Sequence, residues 1–505
     1  MENLLISPYS KDLPYWKNQS PPIKDHKFTD PLFPPNINSL LSKNENGEFL
    51  DFKHGPKREK RIKSEEIAWM RASEIFKNEK YSLFEKQIKI SEISQGSLGD
   101  CYFLASIASL TQYPKLIYQI FKTKNINNEG YFELIIFIDG KFQIVIVDDY
   151  LPINIKNKKI CFSRPHNNEI WICILEKAWA KINGGYTNII KGWMHHVLQA
   201  FTGFQSEIIK HNTIKYGDLW EKIAEAKNNN FIITCSTRNN VDKFGLVNNH
   251  AYSFFGCTEI ISNGKKIKLV KIRNIWKNKN WHGDWGDDSP LWGEEEKKQV
   301  NYYGKIKGLF YMSFQDFYNY FDLTEICYVL YNSYSKNIYI NEQNINNGNI
   351  FNLYLEEDGY FSISLIRKMW RFNRQLLNKI IPSYLLIVSY NPLNKKINNY
   401  FCDYDAKNES YEDTSLIKYL NKGYYLIYAY HDLFHSTLKK EDFYIIKFDS
   451  TVKFKYKLMP NDHREKDFIL LKNIIKQILL DKYKDCILDQ KYIYIGNKID
   501  KDGIG

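Results

Sequence analysis

Gln95-Gly96-Ser97-Leu98-Gly99-Asp100-Cys101-Tyr102-Phe103-Leu104-Ala105 is the stretch on which the reading of this chain turns. The apolar positions Phe103, Leu104, Ile107 and Ala108 predict a helix that begins at Cys101 and ends near Leu110 and Thr111. A cysteine on the first turn sits at the positive end of the helix dipole, which favours an ionised sulfur. The carboxamide of Gln95 and the backbone N–H of Cys101 are then placed to donate to an oxyanion formed by thiolate attack on a carbonyl. A lone cysteine in an amphipathic helix is more often simply buried, so the reading depends on partners elsewhere in the chain.

Those partners lie far downstream. His250 follows Val247-Asn248-Asn249 and leads into the strand-like run Ala251-Tyr252-Ser253-Phe254-Phe255. Asn274 closes the alternating segment Val270-Lys271-Ile272-Arg273, with Trp276 two residues on. In this reading His250 takes the thiol proton and returns it to the leaving amine, while Asn274 holds the other ring nitrogen and Trp276 shields that bond from water. Separations of this size require tertiary folding to unite the three groups.

With these residues in hand, the sequence resembles the calpain family of papain-like cysteine endopeptidases over roughly residues 28 to 325. The resemblance rests on Phe28-Thr29-Asp30-Pro31-Leu32-Phe33-Pro34-Pro35, Trp69-Met70-Arg71-Ala72-Ser73-Glu74-Ile75, the Gln95 to Leu110 stretch, Val147-Asp148-Asp149-Tyr150-Leu151-Pro152 and Glu169-Ile170-Trp171. Leu175-Glu176-Lys177-Ala178-Trp179-Ala180-Lys181, Gly245 to Ser253, Ile272-Arg273-Asn274 and Phe310-Tyr311-Met312-Ser313-Phe314 extend it. His250 follows Cys101 by 149 positions, near the upper end of the papain-like interval. The resemblance implies a Cys101–His250–Asn274 triad with Gln95 at the oxyanion hole. The departures are Tyr102 in place of the usual Trp, and Ile275 and Lys277 in place of Pro and Gly around Trp276; none removes a reacting group.

The resemblance also implies one calcium site in each of two lobes. In the first, Glu92 and Glu169 match carboxylate ligands, though Gln87 stands where a glycine is usual. In the second, Asp287 is retained while the other acidic positions hold Asn280, Lys307 and Leu309, so that site is expected to be lost, since calcium needs several anionic oxygen ligands. No cofactor is needed for the chemistry. An Arg–Glu pair of the family stands here as Ile90 and Leu309, which either pack across the cleft or have drifted on a surface freed from calcium control.

The expected fold class is α+β, a two-lobed papain-like cysteine protease core followed by an antiparallel β-sandwich. Residues 1–65 read as an extension partly packed on the core, 66–204 as the lobe with the cysteine, and 205–332 as a strand-rich lobe with His250 and Asn274. Residues 333–455 read as a C2-like sandwich of short strands separated by polar loops, and 456–505 as a tail with one amphipathic helix, Asp467 to Leu480. The final Asp500-Lys501-Asp502-Gly503 opens but does not complete an EF-hand loop, so an EF-hand domain is not expected.

A chain of 505 residues exceeds a single core. Its net charge of +12 is spread along the chain apart from the cluster Lys53 to Lys63, which reads as a solvated basic loop or as a contact for an acidic lipid surface. Nucleic acid is not an expected partner; extended protein segments are. The eight cysteines show no CxxC or metal-like spacing, and no secretory signal or 18-residue apolar run is seen, which makes a reducing, cytoplasmic location the default. Two other functions share these features, a non-catalytic scaffold binding protein partners and a transglutaminase-type acyltransferase. The glutamine before the nucleophile and the Trp276 neighbourhood favour hydrolysis.

Overall fold

The computed structural model describes residues 13–43, 46–50, 52, 63–84, 88, 93–164, 167–276, 280–302, 306–340, 349–366, 383–393, 397–405, 414–431 and 444–459. Gln87, Ile90, Glu92, Lys277, nearly all of the basic cluster, the Asp467 to Leu480 segment and the chain end lie outside these residues. The chain divides into two compact units, one running through Asn332 and one beginning at Ser333.

The first unit starts with the segment that includes Asp30, which the hydrophobic effect alone would not bury. Asp30 is fully enclosed because Lys181 pairs with its carboxylate and its own N–H donates to Asp148 Oδ2 at 2.7 Å. Lys177 pairs with Asp148 and Arg71 with Asp149 in the same layer. This buried ionic layer fastens residues 13–43 to strands β1 (Ile67–Arg71), β2 (Tyr131–Ile138), β3 (Lys141–Asp148) and β4 (Tyr150–Asn154). Strands β1 and β4 pair antiparallel, as do β2 and β3. Helices α1 (Cys101–Leu110), α2 (Pro114–Ile120), α3 (Trp171–Ile182) and α4 (Met194–Thr202) accompany them. Every residue of α3 is buried, as are nine of the ten in α1, which suits helices enclosed on all sides.

From Ser206 the unit forms a six-stranded antiparallel sheet from β5 (Ser206–Lys210), β6 (Ile232–Thr237), β7 (Ala251–Ser262), β8 (Lys265–Arg273), β9 (Leu309–Ser313) and β10 (Phe321–Cys327). The spatial order is β9-β8-β7-β6-β10-β5. Helices α5 (Tyr216–Asn228), α6 (Glu294–Gln299) and α7 (Phe314–Tyr320) belong to this part. Helix α1 lies against the sheet. Ser253 Oγ on β7 donates to Ala105 O at 2.8 Å and Ser109 Oγ donates to Ile233 O on β6 at 3.0 Å.

The second unit is all strand in its described part. Strands β11 (Tyr334–Ile340), β12 (Asn349–Leu355), β13 (Gly359–Ile366), β14 (Ser383–Tyr390), β15 (Ile397–Asp405), β16 (Thr414–Leu420), β17 (Gly423–His431), β18 (Tyr444–Ser450) and β19 (Phe454–Leu458) follow in turn. They make a four-stranded sheet, β11-β18-β13-β16, and a five-stranded sheet, β15-β14-β17-β12-β19. Phe351, Leu353, Ile363, Leu365, Ile387, Ile427 and Phe448 from both sheets share one apolar core, so the arrangement is a β-sandwich. Mixed helix and sheet in the first unit and antiparallel sheet in the second together give an α+β chain. No helix among the described residues is long and apolar enough to cross a membrane.

Candidate active site

Backbone crowding sets the position of the loop before Cys101. A Cβ on Gly96 would lie 1.9 Å from Phe162 O and 2.4 Å from Cys161 O, so only glycine lets the two segments approach. Ser97 N donates to Cys161 O at 2.9 Å and Arg164 N to Ser94 O at 3.0 Å, which ties the loop along residues 161–164. Helix α1 then opens with Phe103 N and Leu104 N both donating to Asp100 O. Tyr102, where a Trp was the expectation from the resemblance, accepts a bond from Trp179 Nε1 at 3.1 Å and so links α1 to α3.

The loop carrying His250 is held at both backbone atoms. His250 N donates to Thr237 Oγ1 at 3.1 Å and its carbonyl accepts from Thr237 N at 3.1 Å. The ring packs between Tyr252, 5.1 Å away and nearly perpendicular, and Trp276, at 4.5 Å. Asn274 follows the end of β8, fully buried, with its N–H on Gly308 O at 2.7 Å. Its Oδ1 accepts the backbone N–H of Trp276 at 3.0 Å and lies 3.1 Å from His250 Nε2.

This shared acceptor decides a proton. Because a backbone N–H points at Oδ1, that atom is the carboxamide oxygen, and His250 Nε2 must carry the hydrogen it donates. The lone pair of the neutral ring is therefore on Nδ1. The backbone N–H of Ala251, the residue next to His250, faces the Cys101 sulfur. Cysteine, histidine and asparagine are thus gathered into one neighbourhood at the contact between α1 and the start of β7.

Gln95 joins the same neighbourhood from the other side. Its Nε2 donates to Leu98 O at 2.6 Å and its Oε1 accepts from Trp276 Nε1 at 2.5 Å, so the carboxamide orientation is fixed at both ends. One N–H of Nε2 is committed to Leu98; the second remains within 3.5 Å of Asp100 Oδ1. Trp276 therefore does more than cover the histidine. It also bonds Gln95, the residue expected at the oxyanion hole.

The electrostatics differ from the expectation of an ionised sulfur. Cys101 keeps some accessible surface as a residue, yet its sulfur is enclosed by protein, and burial pushes the thiol up to about 11. Backbone donors of Ala251 and Tyr102 oppose this, while the Asp100 carboxyl adds to it. Desolvation outweighs the helix terminus. Burial also pushes His250 down to about 4, against the opposing bond to Asn274. Both shifts favour the neutral forms, thiol and imidazole.

Asp100 and Glu176 stood inside the quoted motifs without a role. Both are buried and hydrogen-bonded to each other. A single acidic residue inside the otherwise apolar face of α3 is the signal that marks Glu176 in the sequence. Of the positions matched to calcium ligands, Glu169 is buried. Asp287 places Oδ2 3.2 Å from Asn280 Nδ2 and accepts from the Tyr302 hydroxyl at 3.4 Å, while Lys307 is exposed and Leu309 half-buried. The six cysteines described form no disulfide.

Residues 28–328 match the family of calpain family cysteine proteases. The chain is 32% identical over 322 residues to calpain-type cysteine protease DEK1 of Zea mays, covering 60% of this chain and 14% of that protein. It is 32% identical over 274 residues to calpain-9 of Homo sapiens, covering 52% of this chain and 39% of that one. With calpain-A of Drosophila melanogaster it shares 33% over 317 residues, 59% of this chain and 36% of the relative. The matched part thus spans well under half the length of these relatives.

Proposed function

Because this chain belongs to the calpain family of cysteine proteases, we propose that it hydrolyses peptide bonds in protein substrates with Cys101 as nucleophile, His250 as base and Asn274 as orienting residue. The observation that carries this is the single Asn274 Oδ1 accepting from both His250 Nε2 and Trp276 N, which leaves a basic Nδ1 beside the residue that meets the Cys101 sulfur.

The thiol proton passes to His250 Nδ1 as the sulfur bonds to the scissile carbonyl carbon. The oxyanion takes hydrogen bonds from the second N–H of Gln95 Nε2 and from the Cys101 backbone N–H. The imidazolium Nδ1–H protonates the leaving amine as the C–N bond breaks, giving an acyl-enzyme. Water, losing a proton to the same Nδ1, then displaces the sulfur as a thiolate, which takes that proton back from Nδ1 and restores the thiol. We place the substrate, in extended form, in a papain-like cleft between the cysteine-bearing and histidine-bearing lobes, and read the sandwich as the C2-like module. Six thiols without a disulfide suit a reducing compartment.

Hydrolysis of an unstructured protein such as casein tests the reading, together with labelling by an epoxide thiol reagent. Cys101→Ala should abolish both; hydrolysis that persists in that variant would overturn the assignment.

The same reading assigns a weak calcium requirement. The positions matched to second-lobe ligands hold Asp287, Asn280, Lys307 and Leu309, and a donor set of one carboxylate, one amide, an ammonium and an apolar chain does not fit calcium. Casein hydrolysis should persist in excess chelator, and activity that returns only with added calcium would contradict this.

A further inference from the structure

The carboxyls of Asp100 and Glu176 meet inside the protein, directly behind the oxyanion glutamine and next to the nucleophile. Asp100 has no exposed surface and Glu176 has 2%. Two carboxylates in bonding contact cannot both be charged in such a place, because nothing offsets their repulsion at low dielectric. Their surroundings decide which one holds the proton. Glu176 receives three contacts from Ser163: the backbone N–H at 3.0 Å to Oε1 and 3.1 Å to Oε2, and the Oγ hydroxyl to Oε1. Asp100 is less well served: Gln95 Nε2 lies 3.5 Å from its Oδ1, its own backbone N–H is a second donor, and its Oδ2 has none. The negative charge therefore resides on Glu176, and Asp100 donates its proton to it.

We propose that Asp100 and Glu176 share one proton and act as a positioning pair, whose neutral Asp100 leaves the second N–H of Gln95 free for the oxyanion. When that proton is lost, Asp100 becomes an anion 3.5 Å from Gln95 Nε2 and one residue from the sulfur. It then captures the N–H that the oxyanion needs and opposes thiolate formation. The groups facing the pair are Cys101 from α1, Cys173 from α3, Cys161 and Ser163 from the adjoining segment, Tyr186, and the exposed Arg164 beyond Cys161. The three thiols and the phenol are all pushed up by burial, so none of them competes for the proton near neutrality. Burial and the Glu176 charge hold Asp100 well above the usual carboxylate range.

The inference rests on the peptidase reading for its consequence but not for its test. Three measurements are made on the full chain: the pH profile of casein hydrolysis, the pH profile of Cys101 alkylation by iodoacetamide, and the infrared band of isotope-labelled aspartate. Wild-type protein should show a protonated aspartic acid band at neutral pH that Asp100→Asn removes. Asp100→Asn keeps a permanent donor toward Glu176, so the alkaline fall in hydrolysis should move upward and alkylation above neutrality should rise about tenfold, one unit of thiol pKa. Glu176→Gln removes the neighbouring charge and gives Asp100 a permanent donor, so Asp100 loses its proton at lower pH than in wild type and hydrolysis above neutrality should fall about tenfold below that of Asp100→Asn. Identical profiles for the two variants, or no protonated aspartic band in wild type, would overturn the proposal. If wild type does not hydrolyse casein at all, the peptidase reading fails, while the band and the alkylation profile still decide the pair.

Discussion

At the scale of single residues the decisive feature is that each polar group around Cys101 has one orientation available to it. Asn274 must present oxygen, since the Trp276 backbone donates to it, and Gln95 must present Oε1 to the Trp276 indole. Two variants separate these roles. Asn274→Ala releases the imidazole from its tautomer, and hydrolysis should fall roughly a hundredfold, the order of a general-base contribution. Trp276→Phe keeps the ring against His250 but removes the 2.5 Å bond to Gln95. Casein hydrolysis should then fall roughly tenfold, less than the loss expected on removing an oxyanion donor outright. Iodoacetamide alkylation of Cys101, which forms no oxyanion, should change about twofold at most on the same ground. Equal losses in both reactions would refute the division. The candidate site residues Cys101, His250 and Asn274 were legible in the sequence because each stands beside a distinct element boundary. The Trp276–Gln95 bond and the Asp100–Glu176 contact were not, because they join positions distant in the chain through side-chain directions that no periodicity encodes.

At the scale of elements, apolar runs made the buried strands readable. Tyr131–Ile138, with seven of its eight residues buried, has no other stable disposal in water. Strands β10 and β5 were not recognised, since β10 reaches its place between β5 and β6 only after the chain has built β7, β8 and β9. Edge strand β19 was not recognised for a different reason: Lys455 and Lys457 interrupt its apolar residues, and such charges are at home on a sheet border. Helix α6 has no buried residue, so no apolar stripe marks it. The loop before α1 yields a sharper expectation. Gly96→Ala would put a methyl 1.9 Å from a backbone carbonyl that cannot rotate away, so the loop must shift off residues 161–164. Thermal unfolding should show a loss of at least about 2 kcal/mol, of the size found for core overpacking. Cys101 labelling should slow in parallel, because the first turn of α1 moves with the loop.

At the scale of the whole molecule, the first unit contains charges that stabilise it only as pairs. Burial pushes Lys181 down to about 8 and Asp30 up, so each leans toward neutrality while the contact holds both ionised. Asp30→Ala should cost about 3 to 5 kcal/mol by stranding Lys181, and a joint Asp30→Leu and Lys181→Met change should recover much of it. Denaturant midpoints of the three proteins check this. Acid response is a balance of opposite signs. His211 is fully buried, 2.8 Å from Thr324 Oγ1, and burial pushes it down to about 4, as it does His250. Below the ordinary value of 6.5 the unfolded chain binds protons that these folded imidazoles refuse, so their contribution is present above 6.5 and is lost as pH falls toward 4. Asp100 and Glu176 act the other way: with folded pKa values raised, they favour the folded chain most at low pH and cost stability as pH rises through the raised values. The raw pH dependence of unfolding mixes the two, and only a difference isolates one. His211→Gln keeps a hydrogen bond to Thr324 without a titrating ring. The gap in unfolding free energy between wild type and this variant should therefore shift by about 3 kcal/mol in the variant's favour from neutral pH to pH 4, on the scale of one unit per 1.4 kcal/mol. A gap that stays constant with pH would show that His211 takes up its proton as readily folded as unfolded.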